Sequence, residues 1–196
     1  MIAKTMPSES PTPRLFFAVP VGEEARAGAR AAIDSLRRCG ADVRWAEPET
    51  MHLTLRFLGQ TPKKALPGLE RALAGATAGR TAFEVVFDRL GSFNDRGLPK
   101  VVWAGVGPGA PELSSLAGAL NAALKEEGFP DEDRPFRAHL TLGRLRSPRG
   151  GAFLRRALAE AAPLSWRCPV ERVILYKSEL GGGGAKHTDL AERILA

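Results

Sequence analysis

Two stretches of this 196-residue chain are nearly the same: residues 48–58 are PETMHLTLRFL, and residues 135–145 are PFRAHLTLGRL. They share the pattern P-x-x-x-H-L-T-L-x-x-L, with His52 in the first copy and His139 in the second. The tetrapeptide HLTL has the apolar and polar alternation of a half-buried strand. The repetition predicts a chain built from two copies of one unit.

The segments around the two motifs repeat as well. Each copy is predicted to begin with a short aromatic and β-branched strand and a helix with a Gly at its end. In each copy the motif strand is followed by a second helical stretch and a last strand. In the first copy the predicted elements are a strand at 14–20, a helix at 23–39, a helix at 62–78 and a strand at 82–91. In the second they are a strand at 100–106, a helix at 111–127, a helix at 150–161 and a strand at 170–180.

Two such copies predict an α+β fold of two pseudo-symmetric lobes, produced by an internal duplication over about residues 14–92 and 100–180. We expect antiparallel or mixed sheets with helices on their outer faces and a central active-site groove. Residues 14–196 would form a single bilobal domain. Residues 1–13, rich in Ser and Pro, would form a flexible N-terminal tail.

Composition excludes several classes of protein. With 44% hydrophobic and 26% charged residues, the chain is a globular rather than a disordered sequence. No apolar run reaches the roughly 18 residues that span a bilayer, so no membrane partner is expected. Cys39 and Cys168 are too few for a disulfide framework, and the N-terminus lacks the apolar run of a signal peptide. We therefore expect a cytoplasmic protein, and a monomer.

Positive charge is concentrated in one part of the chain. The net charge is +6, and residues 134–172 contain nine Arg and only two acids, Glu160 and Glu171. Such a segment favours a polyanionic partner such as RNA or a phosphorylated substrate. An Arg-rich composition throughout the chain is the alternative explanation.

Alternation along each motif strand places a histidine and a threonine on one face. His52 and Thr54 point one way and their flanking leucines the other, and His139 and Thr141 do the same in the second copy. The leucines fit a helix-covered core, so an imidazole and a hydroxyl from each copy would face the groove. The same alternation favours Arg56 and Arg137 as groove residues. His187, the third histidine of the chain, has no counterpart in the repeat and is expected to be structural or peripheral.

Three interpretations of the paired histidines compete. Each could be a satisfied polar residue at a strand end, but the identical tetrapeptide argues against this. A metal site would need acidic or thiolate ligands near the histidines, or a third His, and the motifs offer hydroxyl groups instead. Two imidazoles beside a phosphate can act as a general acid and a general base, because their ordinary pKa is near 6.5. This third interpretation requires no metal and no cofactor.

The paired motifs resemble those of the two-histidine phosphoesterase superfamily, and within it the bacterial and archaeal RNA 2′,3′-cyclic phosphodiesterases, also called 2′-5′ RNA ligases. The resemblance extends to RLFFAV at 14–19, VVWAGV at 101–106 and VILYKSEL at 173–180. It implies hydrolysis of an RNA or nucleoside 2′,3′-cyclic phosphate to a 2′-phosphate.

The same resemblance implies a role for each motif residue. His52 would be the proton donor and His139 the proton acceptor, and Thr54 and Thr141 would contact the phosphate. It also adds Arg144 as a substrate contact, although strict alternation places Arg144 on the leucine face. The alternatives are the reverse reaction, in which a 2′-5′ RNA ligase joins tRNA halves, and a non-catalytic RNA-binding module.

Overall fold

The computed structural model describes residues 12–95, 98–181 and 184–196. The prediction of a flexible tail falls almost wholly on residues 1–11, which lie outside the described residues. The assignment of residues 14–196 to a single bilobal domain stays a prediction.

The described residues form nine strands and four α-helices, in an order close to the predicted one. The strands are β1 (Arg14–Pro20), β2 (Val43–Trp45), β3 (His52–Gln60), β4 (Phe83–Asp95), β5 (Leu98–Val106), β6 (His139–Leu145), β7 (Trp166–Val170), β8 (Arg172–Gly181) and β9 (Gly184–Ile194). The helices are α1 (Glu23–Arg37), α2 (Leu66–Thr77), α3 (Ala110–Glu126) and α4 (Gly151–Ala159). Three strands, β2, β7 and β9, were not predicted as part of the repeat.

Local sequence explains where the first helix begins and ends. Glu23 and Glu24 occupy the first turn of α1 and Arg37 the last, which suits the helix dipole. Gly40 follows with a φ of 70°, a conformation that glycine adopts without steric cost. One face of α1 is buried, as its apolar spacing predicts.

The nine strands of the described residues form two antiparallel sheets. The first sheet has the order β3-β1-β8-β9 and the second the order β2-β6-β5-β4-β7. Every neighbouring pair runs antiparallel. The α+β class with two related lobes is therefore confirmed, and the three strands β3-β1-β8 correspond to β6-β5-β4.

The two copies of the repeat exchange their last strands. β4 belongs to the first copy but pairs with β5 of the second, and β8 belongs to the second but pairs with β1 of the first. Each sheet is thus made from both copies, and neither lobe is a single copy of the repeat.

The helices pack so that one side of the sheets is covered. α2 packs on β8 and β9, α3 on β3, α4 on β4 and β5, and α1 on β7. The motif leucines enter this core, where their side chains are at most 1% exposed: Leu53, Leu55, Leu140 and Leu142. β3 and β6 contact each other although they belong to different sheets, which brings the two histidine strands together.

Candidate active site

A β-bulge at Leu55 interrupts the alternation of side chains along β3. Thr54 pairs with Ala18 and Arg56 with Phe17, so Leu55 has no partner on β1. Residues directly opposite each other in an antiparallel pair share a face. The bulge therefore turns Arg56 toward the core side, where Phe17 is fully buried.

Arg56 consequently lies outside the groove, and its predicted position there is wrong. Its side chain is 5% exposed, and its guanidinium donates to the backbone carbonyl of Pro130. Nη1 lies 3.8 Å from Oε1 of Glu132. Because these partners follow the end of α3, Arg56 ties this loop to β3 rather than contacting a ligand.

The second motif strand has a bulge at the equivalent position, Leu142. Thr141 pairs with Trp103 and Gly143 with Val102, and Arg144 then pairs with Val101. Strict alternation would place Arg144 with the leucines, but the bulge moves it to the face of His139 and Thr141. Its side chain is exposed there.

Each motif histidine is anchored through the same ring atom. Nδ1 of His52 lies 2.9 Å from the carbonyl oxygen of Thr50, and Nδ1 of His139 lies 2.7 Å from that of Arg137. Because a carbonyl oxygen only accepts, each Nδ1 carries the proton and donates it. Nε2 of both rings is left for chemistry.

A short turn holds the carbonyl that anchors His52. Residues Pro48–Thr50 form one turn of 3₁₀ helix, which Met51 connects to β3. The hydroxyl of Thr50 donates to the carbonyl of Glu47 at 3.0 Å, which fixes the end of this turn. The motif proline therefore contributes by starting the turn that orients the first histidine.

The two histidines differ in their aromatic neighbours. His52 packs against Phe16, with ring centroids 4.7 Å apart, and edge-on against His187 at 5.2 Å. His139 packs edge-on against Phe93 at 4.8 Å. His187, which was expected to be structural or peripheral, therefore contacts the first motif histidine directly.

β9 brings His187 to this position. The strand pairs with β8, and His187 lies opposite Ser178. Tyr176 of β8 lies opposite both Phe16 of β1 and Asp189 of β9, so Tyr176, Ser178 and His187 share the face of His52. Alternation within residues 184–194 would have identified this face, had the strand been predicted.

Burial controls the protonation of the site. Desolvation lowers the pKa of His52 to about 4, against the opposing effect of its hydrogen bond to Thr50 and with a smaller lowering by His187. Desolvation also lowers the pKa of His139, where the carbonyl of Arg137 opposes the shift and the charge of Arg144 adds to it. Both histidines are therefore neutral at pH 7 in the free protein.

Arg137 lies two residues before the start of β6 and is exposed. Since Arg137 lies outside the strand, alternation does not determine its direction, and its predicted groove position stays a prediction. Its carbonyl, as the acceptor of His139, is the part of this residue that the structure places in the site.

The arginines of residues 134–172 do not form one surface. Arg144 lies on the histidine face of the second sheet, whereas Arg156 lies in α4, which packs against the same sheet from the helix side. Arg156 pairs with Glu160 at 2.7 Å, and Arg167 pairs with Glu84 at 2.8 Å. The single basic field predicted from sequence is therefore divided between the two sides of the sheet.

Metal-binding clusters and membrane-spanning helices are both absent from the described residues. Within residues 12–95, 98–181 and 184–196, no group of three or more His, Cys, Asp or Glu side chains is placed to hold a metal ion. None of the helices in the same residues is long and apolar enough to cross a bilayer.

Two antiparallel sheets that each present a histidine and a threonine from one repeat of HLTL define a two-histidine phosphoesterase. Comparisons with known proteins agree with this class. The family model described as 2′-5′ RNA ligase superfamily matches residues 25–182. The chain belongs to the 2′-5′ RNA ligase superfamily.

Individual relatives match most of the chain. It is 35% identical over 150 residues to an RNA 2′,3′-cyclic phosphodiesterase of Archaeoglobus fulgidus, covering 76% of this chain and 82% of the relative. It is 31% identical over 178 residues to one of Methanothermobacter thermautotrophicus, covering 90% and 96%. The crystal structure of TT0787 of Thermus thermophilus aligns with a TM-score of 0.78 at 29% identity, covering 93% of this chain and 97% of that one.

Proposed function

We propose that this protein is an RNA 2′,3′-cyclic phosphodiesterase that opens a terminal 2′,3′-cyclic phosphate to a 2′-phosphate. The observation that carries the proposal is the matched anchoring of His52 and His139 through Nδ1, which leaves Nε2 of both rings available. The names of the relatives from Archaeoglobus fulgidus and Methanothermobacter thermautotrophicus support the same activity.

The reaction needs one proton acceptor and one proton donor. Nε2 of His139 accepts a proton from water, and the water oxygen attacks phosphorus. The bond from phosphorus to the 3′-oxygen breaks, and Nε2 of His52 gives its proton to that oxygen. The products are a 2′-phosphate and a free 3′-hydroxyl. Neutral His139 is ready for its role, whereas His52 must first acquire a proton.

Binding of the substrate would itself raise the pKa of His52 and so favour its protonation. A cyclic phosphate carries one negative charge, and a nearby opposite charge raises the pKa of an imidazole. Thr54, Thr141 and Arg144 share the histidine faces and would hold the non-bridging oxygens as negative charge develops. Arg137 is kept as a further proposed contact.

The direct test is to identify the product from a short RNA that ends in a 2′,3′-cyclic phosphate. We expect a terminal 2′-phosphate and no 3′-phosphate. Adding a second RNA with a 5′-hydroxyl tests ligation, in which this hydroxyl replaces water as the nucleophile, the bond to the 3′-oxygen breaks, and a 2′-5′ linkage forms. Binding of the RNA without any product would instead support a non-catalytic module.

We also infer the setting in which the protein acts. Cys39 and Cys168 are both free thiols, as suits a reducing cytoplasm. RNA ends with cyclic phosphates, including fragments of tRNA, are the proposed substrates, and the proposed working state is a monomer. Light scattering after gel filtration tests the oligomeric state.

Activity is expected to be unchanged in excess EDTA. The proposed chemistry uses two imidazoles, two hydroxyls and a guanidinium, none of which requires a metal ion. Turnover should be measured before and after prolonged chelation. Loss of activity that one divalent ion restores would contradict the proposal.

The rate constant kcat/KM is expected to fall above about pH 6.5, by roughly tenfold per pH unit. The histidine pair must hold one proton, and the pKa values of both histidines lie below their ordinary value in the free protein. Raising the pH therefore removes the required proton. The descending limb of kcat should lie at higher pH, because the bound anion raises these pKa values. A kcat/KM that is flat from pH 5 to 9 would contradict the paired-histidine reaction.

A further inference from the structure

A cavity of about 590 Å³ opens beside His52 on the histidine face of the first sheet. Its walls come from the start of α1, the turn before β3, and strands β8 and β9. His52 and His187 both line it, so the cavity continues from the reacting centre on the side of the proposed proton donor. His139 is not among its lining residues.

The wall of this cavity carries charges of both signs. Arg26, Arg172 and Lys186 line it together with the acids Glu49, Glu171 and Asp189. Equal numbers of cations and acids do not favour a second phosphate group. They suit a neutral polar group whose hydroxyls both donate and accept hydrogen bonds, such as a sugar.

The tautomer of His187 follows from its surroundings. Nδ1 is buried and has no hydrogen-bond partner among the residues that the structure describes. A buried N–H without an acceptor is costly, so Nδ1 is the unprotonated nitrogen and Nε2 carries the proton. Burial lowers the pKa of His187, which keeps the ring neutral at pH 7. Because Nδ1 is hidden while the ring lines the cavity, the edge that carries Nε2 is the part available to a ligand.

We propose that this cavity holds the ribose of the terminal nucleotide and that His187 donates a hydrogen bond from Nε2 to a ribose oxygen. The inference rests on the proposed function, since His52 protonates the 3′-oxygen and the ribose must then lie beside His52. The rings of His52 and His187 are perpendicular, at 89°, with centroids 5.2 Å apart. The edge of one imidazole thus meets the face of the other, and a ribose oxygen at the mouth of the cavity can be reached by both residues.

Three substitutions separate hydrogen bonding from packing. The amide nitrogen of Gln reaches about as far as Nε2, whereas that of Asn reaches only as far as Nδ1. His187→Gln should therefore retain affinity for adenosine 2′-monophosphate, while His187→Asn and His187→Phe should each lose about tenfold. Affinity for inorganic phosphate should be the same in all three variants, because the contact is to ribose. For the cyclic substrate, kcat/KM should follow the nucleotide affinity.

Thr188→Asn is the matched control, because Thr188 is exposed and occupies the opposite face of β9. This variant should keep the wild-type affinity for both adenosine 2′-monophosphate and inorganic phosphate. Full activity and binding in His187→Phe would overturn the inference, and so would equal losses in the Gln and Asn variants. A parallel loss of phosphate affinity would also overturn it. The binding measurements do not depend on turnover, so a wild type that binds the nucleotide but hydrolyses no cyclic phosphate contradicts the proposed function alone.

Discussion

Replacing His52 with Ala is expected to lower kcat on a 2′,3′-cyclic phosphate by roughly 10²–10⁴-fold, the usual contribution of one general acid. The departing 3′-oxygen is a poor leaving group unless it receives a proton. When sulfur replaces this bridging oxygen, the thiolate leaves without one. His52→Ala should therefore be largely rescued on the 3′-thio analogue.

His139→Ala is expected to be impaired on both substrates, because water still needs a base. The measurement is kcat for wild type and both variants on each substrate, with substrate binding measured in parallel. Rescue of His139→Ala instead would exchange the two assignments. Rescue of neither variant would show that His52 stabilises charge on the phosphate rather than donating the proton.

The two strands that carry the motif histidines could be predicted from sequence because their alternating pattern is local. HLTL alternates, so its leucines had to face a core and its histidines had to face away from it. Leu53 and Leu140 are buried as predicted, and their neighbouring histidines lie on the opposite face. Because the surrounding segments repeat together with HLTL, the sequence also predicted a fold of two related lobes.

The faces on which the arginine side chains lie depend on the β-bulges, and these bulges have no recognisable pattern in the sequence. A bulge adds one residue to a strand and changes the face of everything beyond it. Leu55 and Leu142 resemble any other strand leucine in sequence, yet each bulge reverses the assignment of the arginine that follows. The pairing partner decides the register, and sequence periodicity alone does not contain it.

Long-range pairing explains the remaining differences. The exchange of β4 and β8 between the sheets joins segments far apart in the chain. His187 reaches His52 only because β9 is added to the end of that same sheet beside β8. A histidine outside the repeat could be connected with the site only once the order of the strands was known.

The second large effect on kcat is expected at Arg144, which the bulge in β6 places on the histidine face, and not at Arg56, which the bulge in β3 turns toward the core. Arg144→Gln is expected to lower kcat by roughly 10²–10³-fold, in the range observed when one donor to a developing oxyanion is removed. Arg144 shares the face of His139 and Thr141, and its charge acts on His139. Because that charge lowers the pKa of His139, the variant should also raise this pKa. The pH optimum of kcat/KM, which depends on the pKa values of both histidines, should then move to higher pH.

Arg56→Gln is the matched control, with the opposite pattern expected. Arg56 is buried, donates to Pro130 and lies near Glu132, so removing it should lower the melting temperature of the protein. The folded fraction should keep the wild-type kcat, because Arg56 faces the core. Kinetics and thermal unfolding of both variants test the assignment together. A large loss of kcat in folded Arg56→Gln, with little change in Arg144→Gln, would mean that side chains follow strict alternation and that the bulges do not set the faces of these arginines.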